Sequence, residues 1–280
     1  MKIIVENERG ERLQMSGNRY FDLFDIVGTN PPVANINTSK IAGVDGSRFN
    51  SAQAEQRNLV LYLNLHPPIE ATRMLLYKFF RIKQPVKIFC KTKERDVFIE
   101  GRVESFENNP FTQLQQPQIS IICPQPYWSA VDDMVGNFWR SVPLFEFPFS
   151  IPAEGVEFSR LERLSTIAVN GGEIETGCII TFSAIGAVTN PKFYNDTTGE
   201  MFGVDIVLQD EDKLIICTLE GQKSVKLIRG TTTTNELANR ASGSKWIKIA
   251  PYQNIIRYDA ASGVDNLKCA VTFPLLYEGV

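Results

Sequence analysis

The stretch Arg57-Asn58-Leu59-Val60-Leu61-Tyr62-Leu63-Asn64-Leu65-His66-Pro67-Pro68-Ile69-Glu70 decides how the rest of the chain is read. Every second residue from Leu59 to Leu65 is leucine. Side chains alternate faces along a strand, so four leucines point into one core while Val60, Tyr62 and Asn64 point the other way. Burying the four contributes roughly 1.5–3 kcal/mol each before entropy is subtracted. His66-Pro67-Pro68 ends the strand, because proline cannot donate to the ladder. A helix is expected next, from about Ile69 to Lys83. Glu70 faces the positive end of its dipole, and Arg81 and Lys83 the negative end. Ile69, Leu76, Phe79 and Phe80 form its apolar stripe, and Pro85 stops it.

Working outward, Val86–Cys90 and Val97–Phe106 alternate on either side of the turn TKERD and read as a hairpin. A polar loop, ENNPFTQLQQPQ, leads to a strand over Ile119–Cys123 that ends at Pro124-Gln125-Pro126-Tyr127-Trp128. Upstream, the segment from Gly28 to Gln56 has few apolar alternations. It is expected to be an arm that reaches a neighbouring subunit.

The second half alternates almost throughout. Cys178, Ile180 and Phe182 share a face, as do Phe202, Val204, Ile206 and Leu208, and Leu267, Cys269, Val271 and Phe273. Turn signals (VNGGE, YNDTTGE, QDEDK, LEGQK, DAASG) separate these runs, which indicates a two-sheet sandwich or jelly roll. The Pro- and Phe-rich region from Ser129 to about Ser159 reads as the crossing between halves. The expected fold class is mainly β in two domains: 1–135, an antiparallel β domain with one helix at about 69–83, and 136–280, a β-sandwich.

At 280 residues, two domains are the natural expectation. The charge balance, 29 basic against 32 acidic residues, contains no block of cations to neutralise a run of phosphates, which argues against sequence-independent nucleic-acid binding. The opening apolar run is too short for a secretion signal, and no stretch is long enough to span a bilayer. The expectation is a soluble protein made in the cytosol. Cys90, Cys123, Cys178, Cys217 and Cys269 each sit inside an apolar run and form no C-x-x-C pair, so they read as small strand hydrophobes.

Chemistry is sparse. There is no phosphate-binding glycine loop, G-x-S-x-G or H-E-x-x-H motif. Any His-dependent triad must use His66, the single histidine, which has no serine or cysteine close in sequence. A turn residue is the simpler reading. Zinc lacks further ligands at a useful spacing. Asp210-Glu211-Asp212 and Lys93-Glu94-Arg95-Asp96 look like solvated hairpin tips, and the former lacks the spaced oxygens and glycine of a calcium loop. Tyr127, Trp128, Trp139 and Trp246 could stack on a sugar, although core or interface roles are commoner. A glycosidase would need two carboxylates facing each other across a cleft. No catalytic, cofactor-binding or metal residue is assigned, and the chain is not expected to be an enzyme or to need a cofactor.

The order of features in the first half resembles the distal tail protein family of long-tailed phages, often called Dit. The matching residues are Asp45-Gly46-Ser47, Arg57 to Leu63, then Arg73, Leu76, Tyr77 and Phe80. They continue with Lys83 to Ile88, Ile99 to Ser105, and Gln118 to Trp128, so the resemblance spans residues 40 to 130 or so. It implies a structural role. The first domain would form a homohexameric ring below the tail tube, surrounding the channel through which DNA passes. The second, a galectin-like β-sandwich in such proteins, would project outward and hold or contact receptor-binding components. The implied partners are other copies of the chain, the tail tube protein, a tail-tip or tail-associated lysin-type protein and a receptor-binding protein. Membrane and specific nucleic-acid binding are not implied. The implied location is the distal end of the phage tail in the virion, after assembly in the cytoplasm of the bacterial host. The alternative is a carbohydrate-binding tail protein that contacts the host surface directly, for which Trp246 and Trp139 are the residues to test.

Overall fold

The computed structural model describes residues 1–43, 45–137, 139–143, 159–163 and 165–280. The chain is mainly β, with its strands in antiparallel sheets. It divides into two compact units, Met1–Val131 with Leu276–Val280, and Asp132–Leu275. The last five residues therefore rejoin the first unit after the whole of the second has been completed.

In the first unit, the decisive strand is Arg57–Leu65, paired antiparallel with Gln118–Cys123 on one side and Phe21–Val27 on the other. Leu59, Leu61, Leu63 and Leu65 are all buried, whereas Tyr62 and Asn64 on the opposite face are half-exposed. The sheet continues from Gln118–Cys123 through Asp96–Glu107, Pro85–Lys91 and Lys2–Glu6 to Arg12–Gln14. Short strands Trp128–Ala130 and Leu276–Tyr277 pair with each other, and the former also pairs with Asp96–Glu107.

Helix α1 (Ile69–Phe79) carries the expected stripe: Leu76, Phe79 and Phe80 are buried and Ile69 packs against the same core. It ends four residues before Lys83. Phe80 leaves helical geometry (φ −97°, ψ 72°) and Lys83 adopts φ 70°. The amide of Lys83 donates not back along the helix but to Val103 O at 2.8 Å, so the neighbouring strand captures the chain and turns it into Pro85–Lys91. Phe80 stays apolar because this turn, not a further helical one, buries it.

The segment after Gly28 forms a separate hairpin. Ala34–Ser39 and Arg48–Ala54 pair with each other and with no strand of the main sheet. Every residue in both strands is exposed. With neither face buried, no alternation is required of the sequence.

In the second unit, a six-stranded sheet runs Met134–Asn137, Leu267–Phe273, Ile179–Ala184, Lys213–Cys217, Ser224–Arg229, Thr232–Asn235. A five-stranded sheet is built on Thr166–Asn170, Tyr252–Ser262, Val188–Asn195 and Glu200–Gly203, with Val207–Leu208 joined to Val188–Asn195. One core draws on both: Ile180, Phe182, Leu214, Cys269 and Val271 from the first, and Val188, Phe193, Phe202, Ile256 and Tyr258 from the second. The run from Phe202 to Leu208 is not one strand. It breaks after Gly203, where Val204 bridges Arg240 and the Asp205 amide donates to Asn239 O. Of the Pro- and Phe-rich crossing, 144–158 lies outside the described residues.

Candidate assembly surface

His66 sits directly beyond its strand. Its Nε2 is 2.7 Å from Asp22 Oδ2, with both side chains about half-exposed, and its amide donates to Tyr20 O. The pair ties the strand end to Phe21–Val27. Neither a serine nor a cysteine is among the recorded partners of His66. All five thiols are buried. Burial pushes Cys123 and Cys178 up to about 12, opposed for Cys123 by the Arg57 charge and for Cys178 by a hydrogen bond from Thr218. Neither thiol is a nucleophile at neutral pH. Among the described residues, no three His, Cys, Asp or Glu side chains are placed to hold a metal ion.

The aromatic candidates divide. Trp128 is fully buried in the core of the first unit. Trp246 packs half-buried against Phe202, ring centroids 4.9 Å apart, with Lys223 Nζ 6.0 Å from its ring centroid. Tyr127 is half-buried, and the Trp139 side chain lies outside the described residues. Neither charged tip is simply solvated: Arg95 donates to Gly279 O, and QDEDK is pinned through Asp212. Asp212 is buried, takes a bidentate set of hydrogen bonds from Arg229 (shortest 2.6 Å) and accepts from the Gln209 amide. Its carboxylate is occupied in closing the loop.

A heavily connected polar side chain is Arg57, buried at the start of the decisive strand. Its Nε donates to Pro126 O at 2.6 Å, its Nη1 to Gly28 O and Asn30 O, and its Nη2 to Glu278 O at 2.6 Å. The guanidinium also lies over the Trp128 ring. Desolvation lowers its pKa, yet an arginine starts so high that it remains charged. All four acceptors are backbone carbonyls, which a planar fork can span at once. Arg95 acts in parallel: it donates to Gly279 O and stacks over Tyr277. Two arginines thus fix the returning C-terminal residues beside the root of the exposed hairpin. Sequence reasoning places Arg57 only among the residues of the resemblance and Arg95 in a solvated tip, because a carbonyl acceptor has no residue signature.

The hairpin these contacts anchor, with the residues at its root and turn, exposes several large apolar side chains. Val33, Ile36, Ile41 and Phe49 are 73%, 60%, 52% and 62% exposed. An isolated two-stranded hairpin is marginally stable in water, and its exposed apolar side chains make this one a candidate interaction surface.

No family model matches the chain, and no curated protein matches it in sequence. Solved structures do. The crystal structure of SPP1 Dit (gp 19.1), described as a paradigm of the hub adsorption apparatus in phages infecting Gram-positive bacteria, superposes with a TM-score of 0.67. It is 13% identical over 98% of this chain and 98% of that one. A chain of the phage P2 baseplate in its calcium-activated conformation gives a TM-score of 0.55 at 10% identity, covering 100% of this chain and 99% of that one. The strontium form gives 0.55 at 9% identity over the same shares. From end to end, the chain has the fold of phage hub and baseplate proteins.

Proposed function

We propose that the chain is a structural protein at the distal end of a phage or prophage tail, a distal tail protein. In this reading the first domain, built on the unit Met1–Val131 with Leu276–Val280, closes a homohexameric ring under the tail tube. The galectin-like second domain, built on Asp132–Leu275, carries or contacts the receptor-binding components. The observation that carries the reading is the end-to-end fold match to SPP1 Dit, in which nearly all of each chain is covered. The exposed hairpin supports it, since a ring needs each copy to reach the next. In the virion the chain would contact the tail tube protein above and a tail-tip protein below, with DNA passing through the lumen. Gold-labelled antibody against the chain, imaged on particles of the parent phage, should mark the end of the tail remote from the head. Label along the tail shaft, or none on intact particles, would overturn the proposal.

A further inference from the structure

The loop between Asp96–Glu107 and Gln118–Cys123 presents one side chain almost wholly to solvent: Phe111 is 95% exposed, with Leu114 at 61%. The loop is nevertheless rigidly built. Gln115 is buried beneath it; its Nε2 donates to Pro110 O, its Oε1 accepts from Arg73 and Asn108, and its backbone carbonyl accepts from the Leu65 amide. The Phe111 amide donates to Asn109 Oδ1. A large aromatic held out on a preorganised loop loses little entropy on docking and is the usual anatomy of a binding hot spot.

The same unit has a receptacle. A hollow of about 410 Å³ lies between helix α1 and the turn after Lys2–Glu6, lined by Leu13, Ala71, Met74, Leu75 and Phe79 together with the charged Arg9, Glu11, Arg12 and Lys78. The knob and the hollow are on opposite flanks of α1. Residues on a helix advance by about 100°, so Ala71, Leu75 and Lys78 share one flank and Arg73 and Tyr77 the other. Arg73 bonds to Gln115, and Tyr77 packs edge-on to Phe106 at the base of the knob loop. The charges also fit. Arg9, Arg12 and Lys78 outnumber Glu11 around the hollow, with Arg12 paired to Glu6, whereas no lysine or arginine occurs between Arg102 and Arg140 and Glu107 stands at the foot of the loop.

A knob and a hollow at different places on one chain make a heterologous contact, which repeats head to tail and closes into a ring when the rotation permits. We infer that Phe111 of one copy inserts into the hollow between α1 and the Arg9–Leu13 turn of the next. This contact rests on the ring reading above and supplies it with a second interface. One aromatic side chain buries roughly 150–250 Å², well short of the ~800 Å² per partner of a stable interface. The knob must therefore act together with the exposed hairpin.

Variants of the full chain with one added cysteine test it, because the five native thiols are buried and leave no background. Gln113→Cys, beside the knob and leaving Phe111 in place, and Ala71→Cys, both altered at exposed positions, are mixed and treated with a short bismaleimide, and particle mass is followed by light scattering. The expected result is a cross-linked pair in the mixture and none in either protein alone. Phe111→Ala should raise the concentration needed for assembly about tenfold or more. Rings that form without the Gln113–Ala71 link would overturn this contact and leave the ring reading intact. A Phe49→Cys link to Ala71→Cys in its place would show the hairpin filling the hollow, and would also overturn it. A monomer with no link at any concentration would overturn both.

Discussion

Arg57 and Glu278 lie 221 residues apart, yet Nη2 of the arginine donates to the carbonyl oxygen of the glutamate at 2.6 Å. The same guanidinium holds Gly28 and Asn30. One side chain therefore joins the chain entering the exposed hairpin to the chain returning after the second unit. Replacing it with methionine keeps most of the volume and strips four carbonyls of their donor, at a cost of roughly 2–4 kcal/mol. Denaturant unfolding should show that loss. Amide exchange should show residues 276–280 losing protection before the strand Arg57–Leu65 does.

Gly28 is the second element of that root. Its φ is +95°, and a Cβ added there would meet Asn58 O at 2.1 Å. Gly46 has the same φ with nothing within 4 Å. Gly46→Ala should cost only the left-handed backbone penalty, about 1–2 kcal/mol. Gly28→Ala adds a backbone collision of the kind that costs a further 1–3 kcal/mol or so. Equal melting temperatures for the two variants would refute this account of the root.

The hairpin itself contributes no residue to either core. Ala34 and Ala54 are paired across it, so 35–53 can be replaced by a short glycine turn without straining the chain. The shortened protein should remain folded, with its circular dichroism lowered only by the lost strands, and should no longer assemble. Assembly that persists unchanged would remove the hairpin from the interface.

Asp212 sets an acid limit on the second unit. The hydrogen bonds from Arg229 hold its carboxyl below the usual range, against the opposing effect of burial. A group whose folded pKa is depressed adds stability that is present above the unfolded value and lost as pH falls through the folded one. The second unit should therefore weaken below about pH 4. Asp212→Asn should cost about 1–2 kcal/mol at neutral pH and flatten that acid dependence. A wild-type acid profile in the variant would assign the effect to other carboxylates.

Much of the fold was legible because burial imposes a period. The leucines of 59–65, the hairpin of 85–107 and the alternating runs of the sandwich each have one face in a core. Helix α1 was legible up to the point where its own residues stopped deciding: Phe80 remained apolar, but a bond from Lys83 to Val103 ended the helix. Of the exposed hairpin, only the lack of alternation could be read, since neither face is constrained. Leu276–Tyr277 is too short to show a period, and the arginines that hold it act on carbonyls common to every residue. The knob loop was recognisable as polar, yet its one aromatic drew no notice. A lone phenylalanine among glutamines and asparagines is the signal that was available.

The central claim is the ring. The most direct test is the mass of the purified full-length chain by light scattering, with negative-stain images taken from the same peak. The account predicts a particle of six times the 31.5 kDa chain mass with a central hole. A 31.5 kDa particle at every concentration, with no annular images, would contradict it.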